Sequence, residues 1–303
     1  MSDHQFHGCG TALVTPFSAD GSLDEATLRL LVRRQLLEGI DFLVPCGTTG
    51  ENPTLTRDEH IRVVAITIEE AKGKAPILAG AGGYNTKEVV ELAREMEMLG
   101  ADGILSVTPY YNKPTQEGLY QHYRAIADAV PLPIIVYSVQ GRTGVNVEPL
   151  TLKRLAQISN IAGVKEASGS ISQIANVIYH TGEKFAVLSG DDAIALPVIA
   201  LGGDGLISVV SNEIPAEMTA LVRAARAGNF EEARRLQRKF TPLMEMNFIE
   251  SNPIPVKAAM AAMGLLEPVW RLPLVPPSEA SQKKIEAVLD SLGLLVRRGA
   301  HAG

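Results

Sequence analysis

The stretch LGADGILSV at residues 99–107 returns almost unchanged as LGGDGLISV at residues 201–209. A looser third copy, LEGIDFLV, occupies residues 37–44. In each copy a helical segment ends near a glycine, and an aspartate then leads into an apolar, β-branched run. Repeated helix–glycine–strand units of this kind are typical of parallel sheets, in which a helix follows every strand.

Working outward from these copies, eight short apolar runs alternate with amphipathic stretches. Several runs are almost continuously apolar, which predicts parallel strands covered on both faces. The predicted strands lie near residues 9–16, 41–46, 76–81, 103–108, 133–139, 162–167, 185–189 and 205–210. Eight such units indicate an α/β fold of the (β/α)₈ TIM-barrel type. The competing doubly wound sheet would normally carry a G-x-G-x-x-G turn after its first strand, and LVTPFSADGS contains none.

The strand pattern stops near residue 229, and three helical patterns follow it. We therefore predict a barrel domain at residues 1–228, a C-terminal helical domain at 229–296 and a disordered tail at 297–303. Capping-box spacing marks three predicted helix starts. The pairs are Ser22 with Glu25, Thr56 with Glu59, and Ser170 with Gln173.

Composition excludes several classes of function. The formal net charge of −6, without a basic run, argues against nucleic acid or an anionic membrane surface as a partner. No apolar run approaches the roughly 18 residues of a membrane helix, and no signal peptide is evident. The only cysteines are Cys9 and Cys46, which suits a reducing cytoplasm. The six histidines lack metal-ligand spacing, so no metal site is expected.

The stretch GVKEAS, residues 163–168, places a lysine at the end of a buried strand, where barrel enzymes keep their chemistry. An amine at a dry barrel mouth loses hydration, which favours its neutral, nucleophilic form. Lys165 is therefore a candidate for Schiff-base formation with a carbonyl compound. The alternative is an ion pair with Glu166, but successive strand residues point to opposite sides of the sheet.

Other strand ends carry hydroxyl groups. The turn GTTGE, residues 47–51, offers backbone N–H groups and two threonines to a small anion, although an ordinary βα turn would look the same. Tyr110 and Tyr111 end one strand, and adjacent tyrosines are more often interface or core residues than catalytic ones. Tyr137 lies on the strand before that of Lys165. GDD and SNE follow the last two strands, which disfavours a phosphorylated substrate.

Seven motifs together resemble those of the pyruvate-dependent class I aldolase and lyase family, and within it the dihydrodipicolinate synthases. The resemblance covers about residues 8–296. The motifs are GTTGE (47–51), TPYYNKPTQEGLYQHY (108–123), RTG (142–144), GVKEASG (163–169), LSGDD (188–192), GLISV (205–209) and NPIPVK (252–257).

The resemblance implies condensation of pyruvate with L-aspartate 4-semialdehyde through an imine on Lys165, without a cofactor. It implies that Thr49 binds the pyruvate carboxylate and Arg142 the carboxylate of the semialdehyde. Tyr137, Thr48 and Tyr111 would relay protons, with Tyr111 supplied by a neighbouring subunit. Backbone groups of Gly190 and Ile207 would line the lysine pocket.

The resemblance also implies a homo-oligomer, a dimer of dimers, and a lysine feedback site at a subunit interface. His60, Glu88 and Tyr110 match that site, whereas Tyr84 and Asn52-Pro53 depart from it. The loop Ser138–Arg142 departs as well, since Ser-Val-Gln-Gly-Arg replaces Asn-Val-Pro-x-Arg. The alternatives are a related aldolase of another 2-keto acid, like N-acetylneuraminate lyase or 4-hydroxy-2-oxoglutarate aldolase, and a catalytically silent metabolite sensor.

Overall fold

A computed structural model describes residues 5–296 of the chain. Within that range eight β-strands alternate with α-helices, and three 3₁₀ turns accompany them. The strands are β1 Gly8–Ala12, β2 Phe42–Val44, β3 Leu78–Gly80, β4 Gly103–Val107, β5 Ile134–Ser138, β6 Ile161–Glu166, β7 Ala186–Ser189 and β8 Gly205–Ser208. The helices are α1 Glu25–Leu37, α2 Arg57–Ala71, α3 Thr86–Leu99, α4 Gln116–Ala127, α5 Gln140–Thr143, α6 Pro149–Leu155, α7 Ile171–Thr181, α8 Ala195–Ala200, α9 Pro215–Arg226, α10 Phe230–Met246, α11 Ile254–Ala262 and α12 Glu279–Leu292. None of the described helices has the length and apolar character needed to cross a membrane.

The strands form one parallel sheet that curves round into a barrel. Its order is β2-β1-β8-β7-β6-β5-β4-β3. A parallel bridge between Leu43 and Ile77 brings the two outer strands, β2 and β3, together. The predicted barrel is therefore confirmed, and each of the eight strands lies within or next to its predicted segment. The predicted tail at residues 297–303 lies outside the described residues.

The aspartate of the sequence repeat ties neighbouring strands together at the N-terminal end of the barrel. The carboxylate of Asp102 accepts from the backbone N–H of Ile77 at 2.8 Å, and the backbone N–H of Asp102 donates to the carbonyl of Ile77 at 3.0 Å. Asp41 makes the same reciprocal pair with Cys9, and Asp204 makes it with Val187. Each aspartate thus joins the strand it introduces to the strand before it, which explains why the repeat keeps this residue.

Two apolar clusters surround the sheet. The barrel interior holds one of them, to which Phe42, Leu105, Leu188 and Ile207 belong. A larger cluster joins the outer face of the strands to the helices. Because both faces are buried, the strands needed the nearly continuous apolar runs seen in the sequence.

The three helices predicted after residue 228 are present as α10, α11 and α12. Val256 and Met260 of α11 pack against Val14 and Val209, which follow the ends of β1 and β8. The C-terminal segment therefore reaches the end of the barrel where the strands finish. This placement brings it next to the expected site.

Helix starts follow two of the three predicted caps. Thr56 and Glu59 form the complete capping box at the start of α2. Ser170 accepts from the N–H of Gln173 at the start of α7. The prediction at Ser22 is wrong, because Asp24 is the N-cap of α1 and accepts from the N–H of Thr27.

Candidate active site

Lys165 lies near the end of β6 and is 5% exposed. It is in register with Tyr137 on β5, and its Nζ lies 4.2 Å from the centre of the Tyr137 ring. Glu166 points to the other side of the sheet, where its Oε1 accepts from Gln173 of α7 at 2.6 Å. The two charged residues therefore do not face each other, as the strand alternation predicts.

The pocket around Lys165 is closed by backbone and small side chains. A β-carbon placed on Gly190 would lie 3.2 Å from Cε of Lys165 and 2.7 Å from Cβ of Ala167. A side chain at position 190 would therefore clash with Ala167 and press on the aliphatic end of Lys165. Leu188 and Ile207 belong to the apolar interior on which this pocket rests. The structure thus places Gly190 beside Lys165 and Ile207 in the apolar interior of the barrel.

The turn Gly47–Glu51 follows β2 at the same end of the barrel. The N–H of Gly50 donates to the carbonyl of Gly47, and that of Glu51 donates to the carbonyl of Thr48, each at 3.1 Å. Thr15 donates its hydroxyl to the carbonyl of Gly50 at 2.7 Å. The turn is therefore fixed through its main chain, and Thr49 is held inside it with 2% exposure.

A buried ion pair anchors the end of this turn. Glu51 has left-handed backbone angles, with φ of 53°, which a residue with a side chain adopts only at a cost. Its Oε1 lies 2.5 Å from Nζ of Lys257 in α11, and both side chains are fully buried. Burial lowers the pKa of the Lys257 ammonium, while the charge of Glu51 opposes that shift. Lys257 is thus paired with Glu51, whereas Lys165 forms no salt bridge within residues 5–296.

Arg142 belongs to α5, the single helical turn that the Ser-Val-Gln-Gly-Arg loop forms. The N–H groups of Arg142 and Thr143 both donate to the carbonyl of Val139, and Gly144 ends the turn with φ of 71°. A helical turn therefore orders the loop without the expected proline. The guanidinium Nη2 of Arg142 donates to the backbone carbonyl of Asn252 at 3.1 Å.

The three candidate proton-relay residues are not hydrogen-bonded to one another in the chain that the structure describes. Tyr137 is 6% exposed and Thr48 is partly buried. Tyr111 has left-handed backbone angles, with φ of 65°, and its side chain is 92% exposed. Tyr111 therefore projects away from its own barrel. The predicted relay between Thr48, Tyr111 and Tyr137 is not formed by this single chain.

A family model described as the Dihydrodipicolinate synthetase family matches residues 5–292, almost the whole described chain. The chain belongs to this family. The predicted family and the prediction of an enzyme of the lyase class are thereby confirmed.

Individual relatives of the dihydrodipicolinate synthetase family agree over nearly the full length. The 4-hydroxy-tetrahydrodipicolinate synthase of Koribacter versatilis is 54% identical, with 96% of this chain and 97% of the relative covered. The dihydrodipicolinate synthase structure from Thermotoga maritima has a TM-score of 0.94 and 48% identity, covering 96% of this chain and 100% of that one. A structure described as the first monomeric dihydrodipicolinate synthase variant also has a TM-score of 0.94, at 47% identity, with 96% and 98% covered.

The three residues that the resemblance assigns to a lysine site each contact a neighbouring group. His60 is buried, with Nε2 2.8 Å from the carbonyl of Gly80 and Nδ1 2.8 Å from the side-chain amide of Asn52. Burial lowers the pKa of His60 to about 4, so the ring is neutral near pH 7. Both partner atoms are amide or carbonyl oxygens, which only accept, so the neutral ring donates its single N–H to one of them.

The other two residues of that candidate site lie nearby on the surface. The rings of Tyr110 and Tyr84 meet edge to face, with centres 5.2 Å apart. Burial raises the pKa of Tyr110. Glu88 is exposed and accepts from the amide of Asn85 at 2.8 Å. Tyr84 thus packs against the tyrosine ring that the resemblance assigns to the lysine site.

Two residues of the site were missed as functional residues from the sequence. Asn252 contacts both Thr49 and Arg142, and Lys257 pairs with Glu51. The motif NPIPVK was recognised, but the sequence did not reveal a partner for either residue. The available signal was a lysine inside an otherwise apolar helix, since a buried ammonium requires a carboxylate.

Proposed function

We propose that this protein condenses pyruvate with L-aspartate 4-semialdehyde to give 4-hydroxy-tetrahydrodipicolinate, the step that serves lysine and diaminopimelate biosynthesis. One observation carries the proposal. The buried amine of Lys165, which forms no salt bridge with any described residue, lies at the same end of the barrel as the Thr49 turn and Arg142. Relatives bearing the synthase name match the chain at about half identity over nearly its full length, which favours this function over that of another 2-keto acid aldolase.

The reaction begins at Lys165 and needs no cofactor. Its amine adds to the ketone carbon of pyruvate, and loss of water gives an imine. The protonated imine withdraws electrons, so a proton leaves the methyl group and an enamine forms. The enamine carbon attacks the aldehyde of the semialdehyde, whose oxygen takes up a proton. The substrate amine then adds to the imine carbon, which closes the ring and releases Lys165.

The remaining residues bind and move protons. The hydroxyl and N–H of Thr49 hold the pyruvate carboxylate, and the guanidinium of Arg142 binds the carboxylate of the semialdehyde. Tyr137 exchanges protons with the imine and the new alcohol, since its ring lies against Lys165. Gly190 and Ile207 line the lysine pocket. Thr48 connects Tyr137 to a Tyr111 from another subunit.

The exposed Tyr111 supports a homo-oligomer in which each barrel completes the relay of another. A dimer of dimers meets that requirement, although one relative is described as monomeric. The partners are then the two small substrates and further copies of this chain. Cys9 and Cys46 are buried free thiols, which supports a cytoplasmic enzyme.

Reductive trapping tests the mechanism at Lys165. Sodium borohydride added with pyruvate reduces the imine to a stable secondary amine, and peptide mass spectrometry locates it. We expect the adduct on the peptide with Lys165, and none in Lys165→Ala. The control is Lys184→Ala at the opposite end of the barrel, which should keep the adduct and the turnover.

Turnover with a panel of aldehydes separates the proposed reaction from its alternatives. The proposed synthase turns over aspartate semialdehyde faster than N-acetylmannosamine or glyoxylate. An adduct on Lys165 combined with faster turnover of another aldehyde would point to a different aldolase. An enzyme that binds pyruvate without any adduct would overturn the Schiff-base mechanism and leave a sensor as the remaining possibility.

A further inference from the structure

Asn252 joins the two carboxylate-binding residues of the proposed site. Its side-chain Nδ2 donates to Oγ1 of Thr49 at 3.0 Å, and its backbone carbonyl accepts from Nη2 of Arg142 at 3.1 Å. The residue is 6% exposed and lies in the segment between α10 and α11. We propose that Asn252 is a positioning residue that orients the Thr49 hydroxyl toward pyruvate and holds Arg142 at a fixed distance from it. This inference rests on the proposed function of the site.

The direction of the Thr49 hydrogen bond follows from the chemistry of its hydroxyl. A threonine hydroxyl has one hydrogen to donate and lone pairs that accept. When the amide of Asn252 donates to a lone pair, the hydrogen of Thr49 is directed elsewhere. A bound carboxylate is the acceptor that the reaction supplies. The amide therefore sets Thr49 as a donor before pyruvate arrives, and binding needs less reordering.

The contacts of Asn252 distinguish it from a second buried asparagine nearby. Oδ1 of Asn252 is buried and has no hydrogen-bond partner among the described residues, so its amide makes a single hydrogen bond, the one to Thr49. Asn247 offers a comparison in the same segment, because its Nδ2 donates to Glu213 at 2.6 Å and its Oδ1 is also unpaired. Asn247 makes no contact with Thr49 or Arg142.

Two substitutions at position 252 give opposite rankings for the two possible roles. Asn252→Ala removes the donor and leaves the Thr49 hydroxyl free to turn. Asn252→Asp keeps the shape but becomes an acceptor, so it takes the Thr49 hydrogen away from pyruvate and places a negative charge beside the substrate carboxylate. We expect the KM for pyruvate to rise about tenfold in Asn252→Ala, equivalent to one charge-assisted hydrogen bond, and further in Asn252→Asp. A packing role would make the isosteric Asn252→Asp the milder change.

The other kinetic constants refine the test. The KM for aspartate semialdehyde should change less than that for pyruvate, because Arg142 contacts the backbone carbonyl that both variants keep. In a Thr49→Val background, Asn252→Ala should cause little further rise in the pyruvate KM, since the residue it acts through is already removed. Asn247→Ala is the matched control and should lower thermal stability without changing either KM.

Trapping with borohydride separates failure of this inference from failure of the proposed function. The adduct on Lys165 should form in every position-252 variant at saturating pyruvate, and half-maximal labelling should require more pyruvate. Normal labelling at wild-type pyruvate concentrations in Asn252→Asp would overturn the positioning role and leave the function intact. The positioning role would also be overturned if Asn252→Ala raised the pyruvate KM by the same factor in the Thr49→Val background as in the wild type. Absence of an adduct in the wild-type protein would instead contradict the function.

Discussion

At the scale of a single residue, Gly190 controls the position of the reactive amine. Gly190→Ala brings a methyl group within 3.2 Å of Cε of Lys165 and 2.7 Å of Ala167. The contact with Ala167 forces the end of β6 to shift, and Cε of Lys165 must give by a few tenths of an ångström. A displacement near 1 Å at a reacting group can lower the rate on the order of 100-fold, so for this smaller shift we expect kcat to fall by about tenfold. Steady-state turnover at saturating pyruvate measures the loss.

Gly83→Ala is the matched control for that substitution. A β-carbon there meets only Cγ2 of Val89, at an ordinary 3.4 Å, and Gly83 also follows a barrel strand. Its kcat should stay near the wild-type value. If Gly190→Ala retained full turnover, the tight contact with Lys165 would have no part in fixing the amine.

Residue-level prediction succeeded where strand geometry decides direction. The alternation along β6 was enough to place Lys165 inside and Glu166 outside. It could not find Asn252, whose amide meets a hydroxyl 203 residues earlier in the chain. No periodicity links such a pair, because the contact exists only after the barrel has closed. The same holds for Lys257 and Glu51, which are 206 residues apart.

At the scale of secondary-structure elements, the ion pair between Lys257 and Glu51 fastens α11 to the turn after β2. Lys257→Met removes the charge while keeping the approximate shape, and it leaves the buried carboxylate of Glu51 with the long 3.4 Å hydrogen bond from the N–H of Arg271 but without its counter-charge. Breaking one partner of a buried ion pair costs about 3–5 kcal/mol, and we expect the free energy of unfolding to fall by that amount. Urea unfolding at pH 7 measures this change.

The double variant Lys257→Met with Glu51→Gln provides the control for charge. Glutamine removes the unpaired negative charge, so the double variant should be more stable than Lys257→Met alone. If the double variant lost as much free energy of unfolding as Lys257→Met and Glu51→Gln lose together, burial of an unpaired charge would not be the source of the destabilisation.

The elements themselves were predictable because burial on both faces leaves a strong signal. All eight strands and the three C-terminal helices follow from apolar patterning. The start of α1 was misplaced, since Ser22 has the spacing of a capping box but Asp24 is the residue next to the helix. Several residues near a helix start can cap it, and the tertiary structure decides between them.

At the scale of the whole molecule, a buried carboxyl makes stability depend on pH. Glu213 is fully buried, and burial raises its pKa well above 4.5; the nearby charge of Asp192 adds to this, while the bond from Asn247 and the charge of Arg34 oppose it. The folded state therefore keeps a proton that the unfolded state releases above about pH 4.5. The free energy of unfolding should fall as pH rises from that value through the folded pKa.

Glu213→Gln tests this dependence, because glutamine resembles the protonated acid. We expect the variant to gain stability over the wild type as pH increases, with the smallest difference near pH 5 and a larger one near pH 8. The midpoints of urea unfolding at pH 5 and pH 8, compared between the variant and the wild type, measure this difference in stability. The exposed Glu279→Gln should show no such trend. An equal difference at both pH values would mean that Glu213 is ionised in the folded protein.

The anchors of the turn Gly47–Glu51 also have a consequence for synthesis on the ribosome. Asn252, Lys257 and Arg271 reach the turn from more than 200 residues later in the chain. A nascent polypeptide therefore completes its eighth strand before any of these contacts can form. During that interval pyruvate has no finished site and cannot stabilise the growing chain by binding. Pyruvate can stabilise the chain by binding only after the segment that carries Asn252, Lys257 and Arg271 has emerged from the ribosome.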